Sequence, residues 1–481
     1  MVSEVFLNSW RCVMSRTGQI LAATVALSVS LSTASHASQV SLSVAMSNPV
    51  LKSDQKQTAF LKVGLEGFRM PVTTERVAVN VALVLDKSGS MNGRKIEEAR
   101  QAAIQAVRRL NANDIVSVVV YDSTVEVLVP ATKLTDKDAV CKKIAQVQPG
   151  GRTALFAGVS KAAAELRKFI DRERVNRIIL LSDGLANIGP SAPSELGSLG
   201  ASLKKENISV TAMGLGLDYN EDLMVNLASS SGGNHVFIED PTQIAEFFAR
   251  EFNTVLSVVA QEVTIMIDVA AGVRPVRVFG NQAEITGQKV FATLTQLYSG
   301  QEKFLVLEVD VPASPEGKAR DIAKVNVAYD NMLTRSTDQL AGKASVNFSH
   351  SDEIVAASVN NDVLEAGVLL FANERNKAAT ILRDKGDINA ARQLLLQNAD
   401  YLKKYAADLG SMQLDAACNL NTIQSRNLDD ARWARSRKAM RLEQYVTETQ
   451  QSYGALPEQT PEQVQKSPTP QKQPAAPQPR R

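Results

Sequence analysis

Val81-Ala-Leu-Val-Leu-Asp86-Lys-Ser88-Gly-Ser90-Met91 runs an apolar strand directly into a tight polar loop that holds one carboxylate and two hydroxyls. Asp86, Ser88 and Ser90 alternate, so an extended loop aims all three oxygens at one point. Ligation by oxygen alone suits a hard cation such as magnesium, calcium or manganese rather than zinc. Taken by itself the pattern is weak, since Asp-x-Ser-x-Ser arises by chance in about one chain of this length in ten at ordinary residue usage. Discrimination has to come from the rest of the chain.

Two further stretches fall where such a site needs them. Gly150-Gly151-Arg152-Thr153 opens a helical run from Ala154 to Phe169, and Arg177-Ile-Ile-Leu-Leu-Ser182-Asp183-Gly184 is a second buried strand ending in a carboxylate. Each lies at a strand's C-terminal edge or in the loop feeding the next helix, where open parallel sheets place their ligands. Between Val77 and Leu256 strand and helix patterns alternate, which implies a mostly parallel sheet covered by helices.

With these pieces together the sequence resembles the von Willebrand factor A domain. Asp86, Ser88, Ser90, Thr153 and Asp183 match all five positions of that family's metal-ion-dependent adhesion site. The similarity also takes in Asn113 to Tyr121, Asn187-Ile-Gly189 and Ala212-Met-Gly-Leu-Gly216. Within the family it looks closest to the inter-alpha-trypsin inhibitor heavy chains and to bacterial proteins called calcium-activated chloride channel-like, a label of ancestry and not of conduction. The resemblance implies that Ser88, Ser90 and, in some members, Thr153 touch the ion, while Asp86 and Asp183 act mainly through hydrogen-bonded waters. Magnesium is the expected ion, with calcium or manganese as alternatives, and an open coordination position would take an Asp or Glu from a protein partner.

Charge and composition narrow the function classes. The balance of 53 basic and 51 acidic residues gives no bulk electrostatic case for nucleic acid. Two aspartates facing a dication leave the site roughly neutral, so a partner carboxylate is not opposed by excess negative charge. Lys87, Arg94, Lys95 and Arg152 read either as a positive rim favouring an acidic partner or as ordinary solvated side chains. Metal-dependent hydrolysis is the competing class. It lacks a general base, because the chain has only His36, His235 and His350 and no zinc-protease, serine-elbow or cysteine-nucleophile motif. The reading is therefore not an enzyme. A structural module whose metal only stabilises the fold is the third class.

The segments outside the parallel sheet have their own patterns. Residues 1–37 read as a signal peptide, with an apolar core from Ile20 to Leu31 after Arg16 and small residues at Ser35-His-Ala37. The mature chain would begin at Ser38 and be periplasmic or extracellular; Met14 is an alternative start, and an uncleaved anchor the alternative fate. No later run suits a bilayer span, and Val363 to Phe371 reads as a core helix segment. Residues 38–76 and 258–352 alternate apolar and polar side chains and read as two parts of one β-sandwich. The von Willebrand factor A domain, 77–257, would then be an insertion, because two isolated strands could not otherwise bury a face.

Residues 353–454 turn to helical periodicity, with Ala378 to Leu402 as a helix-turn-helix pair in which Gly386-Asp387 ends one helix and caps the next. Trp433 to Arg441 reads as a solvated basic helix face. Residues 455–481, rich in Pro, Gln and Lys, are expected to be disordered. Cys141 and Cys418 read as buried free thiols, and Gly214-Leu-Gly216 as a turn rather than a nucleotide loop. The expected fold class is thus α/β: a Rossmann-like von Willebrand factor A domain, a mostly parallel sheet flanked by helices, inserted in a β-sandwich and followed by a C-terminal helical region.

Overall fold

Alternation in the first strands builds one half of a sandwich before the parallel sheet begins. The computed structural model describes residues 39–70 and 76–451; the signal and tail expectations for 1–37 and 455–481 lie outside the described residues. Strands β1 (Ser41–Met46), β2 (Val50–Lys52) and β3 (Gln57–Glu66) come first. In β3 the residues Ala59, Leu61, Val63 and Leu65 are buried and their neighbours Phe60 and Lys62 are not, which is the period of a strand with one face on a core.

The next segment follows a different rule. It comprises β4 (Val79–Asp86), helix α1 (Arg94–Arg109), β5 (Ile115–Tyr121), β6 (Val125–Lys133), α2 (Lys137–Ala145), α3 (Leu155–Arg167), β7 (Val175–Ser182), α4 (Pro193–Lys205), β8 (Ile208–Leu215), α5 (Glu221–Ser231), β9 (His235–Ile238) and α6 (Ile244–Val255). Every residue of β4, β5, β7 and β8 is buried, as expected for strands covered on both faces by helices, so their sequences are continuous rather than alternating. The sheet order is β6-β5-β4-β7-β8-β9, with β6 antiparallel and the others parallel. From β4 the chain moves to one side to form β5, then returns to the other side of β4 to form β7. That reversal opens a crevice at the C-terminal ends of β4 and β7. Asp86 closes β4, and Asp183 follows β7 directly.

The sandwich resumes with β10 (Val258–Val269), β11 (Arg274–Phe279), β12 (Ala283–Thr286), β13 (Lys289–Tyr298), β14 (Glu302–Val311), β15 (Arg320–Asn331) and β16 (Ser336–Ser349). One sheet runs β1-β3-β14-β11 and the other β12-β13-β10-β15-β16-β2. Strand β3 pairs with β14 over its whole length, from Gln57 opposite Val311 to Glu66 opposite Glu302. The parallel sheet is therefore inserted between two strands of the sandwich. Sequence patterning missed β2, β12 and β16. The first two are very short, and the outer half of β16 is polar and exposed, so its alternation carries little apolar signal.

Helices α7 (Asp352–Ala357), α8 (Asn361–Asp384), α9 (Ile388–Leu409), α10 (Met412–Arg426) and α11 (Asp430–Thr449) complete the described chain. Asp387 accepts a hydrogen bond from the Ala390 amide and starts α9, as read from the sequence, and Ala391, Leu395 and Leu402 form the buried face of that helix. The basic face of α11 is a correction. It is not solvated: Arg437 pairs with Glu221, Asp222 and Asp384 at 2.5, 2.5 and 2.8 Å, Lys438 pairs with Glu221, and Arg441 lies 2.8 Å from Asp222. Helical periodicity shows a basic stripe, but only the fold brings the acidic first turn of α5 against it. Beside this clasp, Leu442 and Tyr445 enter the apolar core of the parallel sheet. Cys141 and Cys418, the two cysteines among the described residues, are free and buried. No helix among the described residues is long and apolar enough to cross a membrane.

Candidate functional site

Asp86 is fully buried at the end of β4. Its Oδ1 accepts from the Ser88 amide at 2.8 Å, its Oδ2 accepts from the Ser182 hydroxyl at 2.6 Å, and the Tyr121 hydroxyl stands 3.4 Å away. Burial pushes this carboxyl up to about 6; the Ser182 and Ser88 hydrogen bonds oppose the rise and the nearby Asp183 charge adds to it.

The other aspartate is tied to the same loop. Ser90 Oγ donates to Asp183 Oδ1 at 2.7 Å, and Ser88 Oγ lies 3.1 Å from Ser90 Oγ. Asp183 Oδ2 accepts from Lys95 Nζ at 2.5 Å. Ser88, Thr153 and Asp183 are buried, whereas Ser90 is exposed, so the cluster opens to solvent on the Ser90 side.

Backbone hydrogen bonds stitch the loops together. The Gly89 amide donates to the Gly151 carbonyl at 3.0 Å, Gly150 to Lys87 at 2.7 Å, and Ala154 to Asp122 at 2.9 Å. Asn187 Oδ1 accepts from the Thr153 amide at 2.8 Å, while the Asn187 amide donates back to the Thr153 carbonyl at 3.1 Å. Gly184 has a steric reason to be glycine. A Cβ there would sit 3.1 Å from Thr153 Oγ1 and 3.4 Å from Ser90 Oγ, filling the hollow that both hydroxyls border. The structure thus brings all five residues read from the sequence into one cluster.

The donor set is compatible with a small hard cation. It consists of oxygens, and the Ser88 and Ser90 hydroxyls are separated by 3.1 Å, close to the edge of about 3 Å in an octahedron with metal–oxygen distances of about 2.1 Å. The four basic residues around the site have separate fates. Lys95 enters the cluster, Lys87 pairs with Asp122, Arg94 lies 3.4 Å from Glu98, and Arg152 donates to the Asn187 carbonyl.

Sequence reading missed Ser182, Tyr121 and Asn187 as parts of the site, and it placed Lys95 only on the rim. The signal for Ser182 was its place before Asp183 on a buried strand, where a hydroxyl needs a polar partner. Neither described histidine joins the cluster: His235 bonds to the Ala212 carbonyl and His350 lies 3.4 Å from Asp54. Gly214 and Leu215 are the last residues of β8 and only Gly216 begins the turn expected there, so no nucleotide loop forms. The Tyr219 ring packs so close that a Cβ on Gly214 would lie 2.2 Å from it, and Gly216 has φ of +74°.

Comparisons with known proteins bear on the fold that carries this cluster. The von Willebrand factor type A domain model matches residues 80–250. The protein sll0103 of Synechocystis sp. is 26% identical over 363 residues, covering 69% of this chain and 85% of that protein. Human inter-alpha-trypsin inhibitor heavy chain H4 is 28% identical over 195 residues, 38% of this chain, and the match spans only 21% of the heavy chain. Among solved structures, a von Willebrand factor type A protein from Catenulispora acidiphila superposes with a TM-score of 0.67 at 15% identity, covering 86% of this chain and 98% of the other. That last likeness shows a shared fold extending beyond the parallel sheet. Domains of this type commonly mediate protein–protein interaction. Residues 80–250 of this chain are a von Willebrand factor type A domain.

Proposed function

We propose that this chain is an exported protein that holds a divalent cation, magnesium first, at Asp86, Ser88, Ser90, Thr153 and Asp183 and thereby captures an Asp or Glu of a protein partner. The observation that carries the reading is the convergence of the Ser88, Ser90 and Thr153 hydroxyls on one side of two buried aspartates, with the hollow beside Gly184 left clear. Bound there, the cation would supply a Lewis-acidic position open to a carboxylate. The chain's own residues orient that position. Ser182 and the Ser88 amide fix the Asp86 carboxylate, and Asn187 fixes the Thr153 backbone. Export is supported by the apolar run from Ile20 to Leu31 followed by small residues.

Lys95 bears on the competing reading, in which the ion only stabilises the fold. Its ammonium pairs with Asp183, and the loops are joined by direct hydrogen bonds, which supports a fold that stands without a cation. The same contact would compete with one. Lys95→Met should therefore tighten magnesium binding several-fold, and calorimetry showing equal or weaker affinity would remove Lys95 from the site.

The deciding experiment is magnesium calorimetry on the full chain with and without a short Glu-containing peptide. The peptide should bind only when magnesium is present, and Asp183→Ala should lower magnesium affinity at least a hundredfold while circular dichroism stays native. Magnesium affinity unchanged in that variant would refute the ligand assignment. Binding of magnesium with no acidic peptide engaged, accompanied by a large rise in melting temperature, would favour the structural role instead.

A further inference from the structure

A cavity of about 230 Å³ lies where the parallel-sheet domain, the sandwich and the C-terminal helices meet, and it shares no lining residue with the aspartate cluster. Its walls come from the end of α4, the C-terminal end of α5, strands β13 and β14, and helices α8 and α11. Three lysines and one arginine line it, against one glutamate. Two of these charges are already balanced. Lys377 pairs with Glu448 at 2.7 Å, and Arg441 lies 2.8 Å from Asp222.

The other two are not. Lys204 makes only a 3.5 Å contact to the Thr293 carbonyl, and Lys303 stands over the Tyr298 ring at 5.3 Å; neither has a carboxylate within salt-bridge distance among the described residues. Burial lowers both ammonium groups below the ordinary lysine range, Lys303 to about 8 with Arg177 adding to the effect and the more distant Glu251 opposing it, so neither has a directly paired carboxylate to offset its burial. A third observation lies in the same wall. Thr295 is 8% exposed, and its hydroxyl has no hydrogen-bond partner, a costly state for a buried donor unless a ligand accepts from it. The helix end nearby does not account for the lysines. The Gly232 and Gly233 amides close the last carbonyls of α5, and the Tyr445 hydroxyl donates to the Gly233 carbonyl.

We propose that this cavity binds a dianionic phosphate group, its charge balanced by Lys204 and Lys303 and one of its oxygens accepting from the Thr295 hydroxyl. Two ammonium groups without a directly paired carboxylate match a dianion. Lysine meets phosphate as a point charge, whereas a planar carboxylate is best held by a free arginine fork, and Arg441 is committed to Asp222 and Gln444. The volume is below the range of about 300–1,000 Å³ usual for drug-sized ligands, which suits inorganic phosphate or a small phosphomonoester. Because the walls belong to three parts of the fold, occupancy would brace their junction.

The test is calorimetry and thermal unfolding of the full chain in EDTA, which keeps the cation site out of the measurement. Sodium phosphate should raise the melting temperature saturably above sodium chloride of equal ionic strength. Lys204→Ala and Lys303→Met should each weaken phosphate binding at least tenfold, and Thr295→Val about threefold. Should Lys303→Met fail to fold, Lys204→Ala at the end of α4 gives the same reading. Glycerol 3-phosphate, run in parallel, separates the two sources: tenfold tighter binding than inorganic phosphate assigns an ester, and equal or weaker binding assigns the free ion. A phosphate effect no larger than that of chloride, or wild-type affinity in both lysine variants, overturns the proposal.

Discussion

Arg177→Met should cost about 3–5 kcal/mol of stability, the usual penalty for stranding one member of a buried ion pair and a large share of the roughly 5–15 kcal/mol available to a folded domain. Arg177 is fully buried in β7. Its guanidinium donates to Thr211 Oγ1 at 3.1 Å, Gln296 Oε1 at 2.6 Å and the Tyr298 oxygen at 2.8 Å, and lies 3.4 Å from Glu251. Glu251 is equally buried and accepts from Thr211 and Asn234.

Without the arginine, Glu251 keeps its desolvation and loses its nearest charge partner, with the more distant Lys303 still opposing the rise. Burial already raises its pKa and Arg177 holds it down, so the variant's Glu251 should rise further. A carboxyl raised in the fold loses stability as pH rises, so the deficit should widen from acid toward neutral pH. Urea unfolding at several pH values measures this. Replacing both residues, Arg177→Met with Glu251→Leu, should restore at least half of the loss; a single-variant cost below about 1 kcal/mol would show that the pair is not stabilising.

The second large effect concerns acid. His235 is buried on β9 between Tyr219 and Tyr445, with Nδ1 on the Ala212 carbonyl and Nε2 without a partner. Burial, with Arg441 and Lys438 of α11 adding to it and Glu221 of α5 and the Ala212 carbonyl opposing, lowers its pKa from 6.5 to about 4. The unfolded chain therefore binds this proton first. The stability from a neutral His235 is complete above pH 6.5 and is lost as pH falls toward 4, by about 3 kcal/mol at the bottom of that window. His235→Gln removes the titration. Asp86, raised to about 6, acts in the opposite direction over part of the same range, so the measurement is the stability difference between variant and wild type. That difference should shift in the variant's favour by about 2–3 kcal/mol from pH 7 to pH 4; a pH-independent difference would remove His235 as the source.

Local order along the chain determined the five-residue cluster and the class of the inserted domain. Continuous apolar strands ending in Asp86 and Asp183 require burial on both faces, and carboxylates at such ends face the crevice of a parallel sheet. Period-two alternation likewise marked most of the sandwich, including the need for strands before residue 70 to find partners after residue 260. Tertiary structure alone decided what charged and polar side chains do once buried. Arg177 sits inside an apolar run, and nothing near it in sequence announces that Glu251, Gln296 and Tyr298 will surround it. The basic stripe of α11 and the acidic first turn of α5 are separated by more than two hundred residues, and each reads as an ordinary solvated face until packing joins them. Periodicity records which face of an element is apolar; the partner of a buried charge is chosen by contacts between elements, and those leave no local pattern.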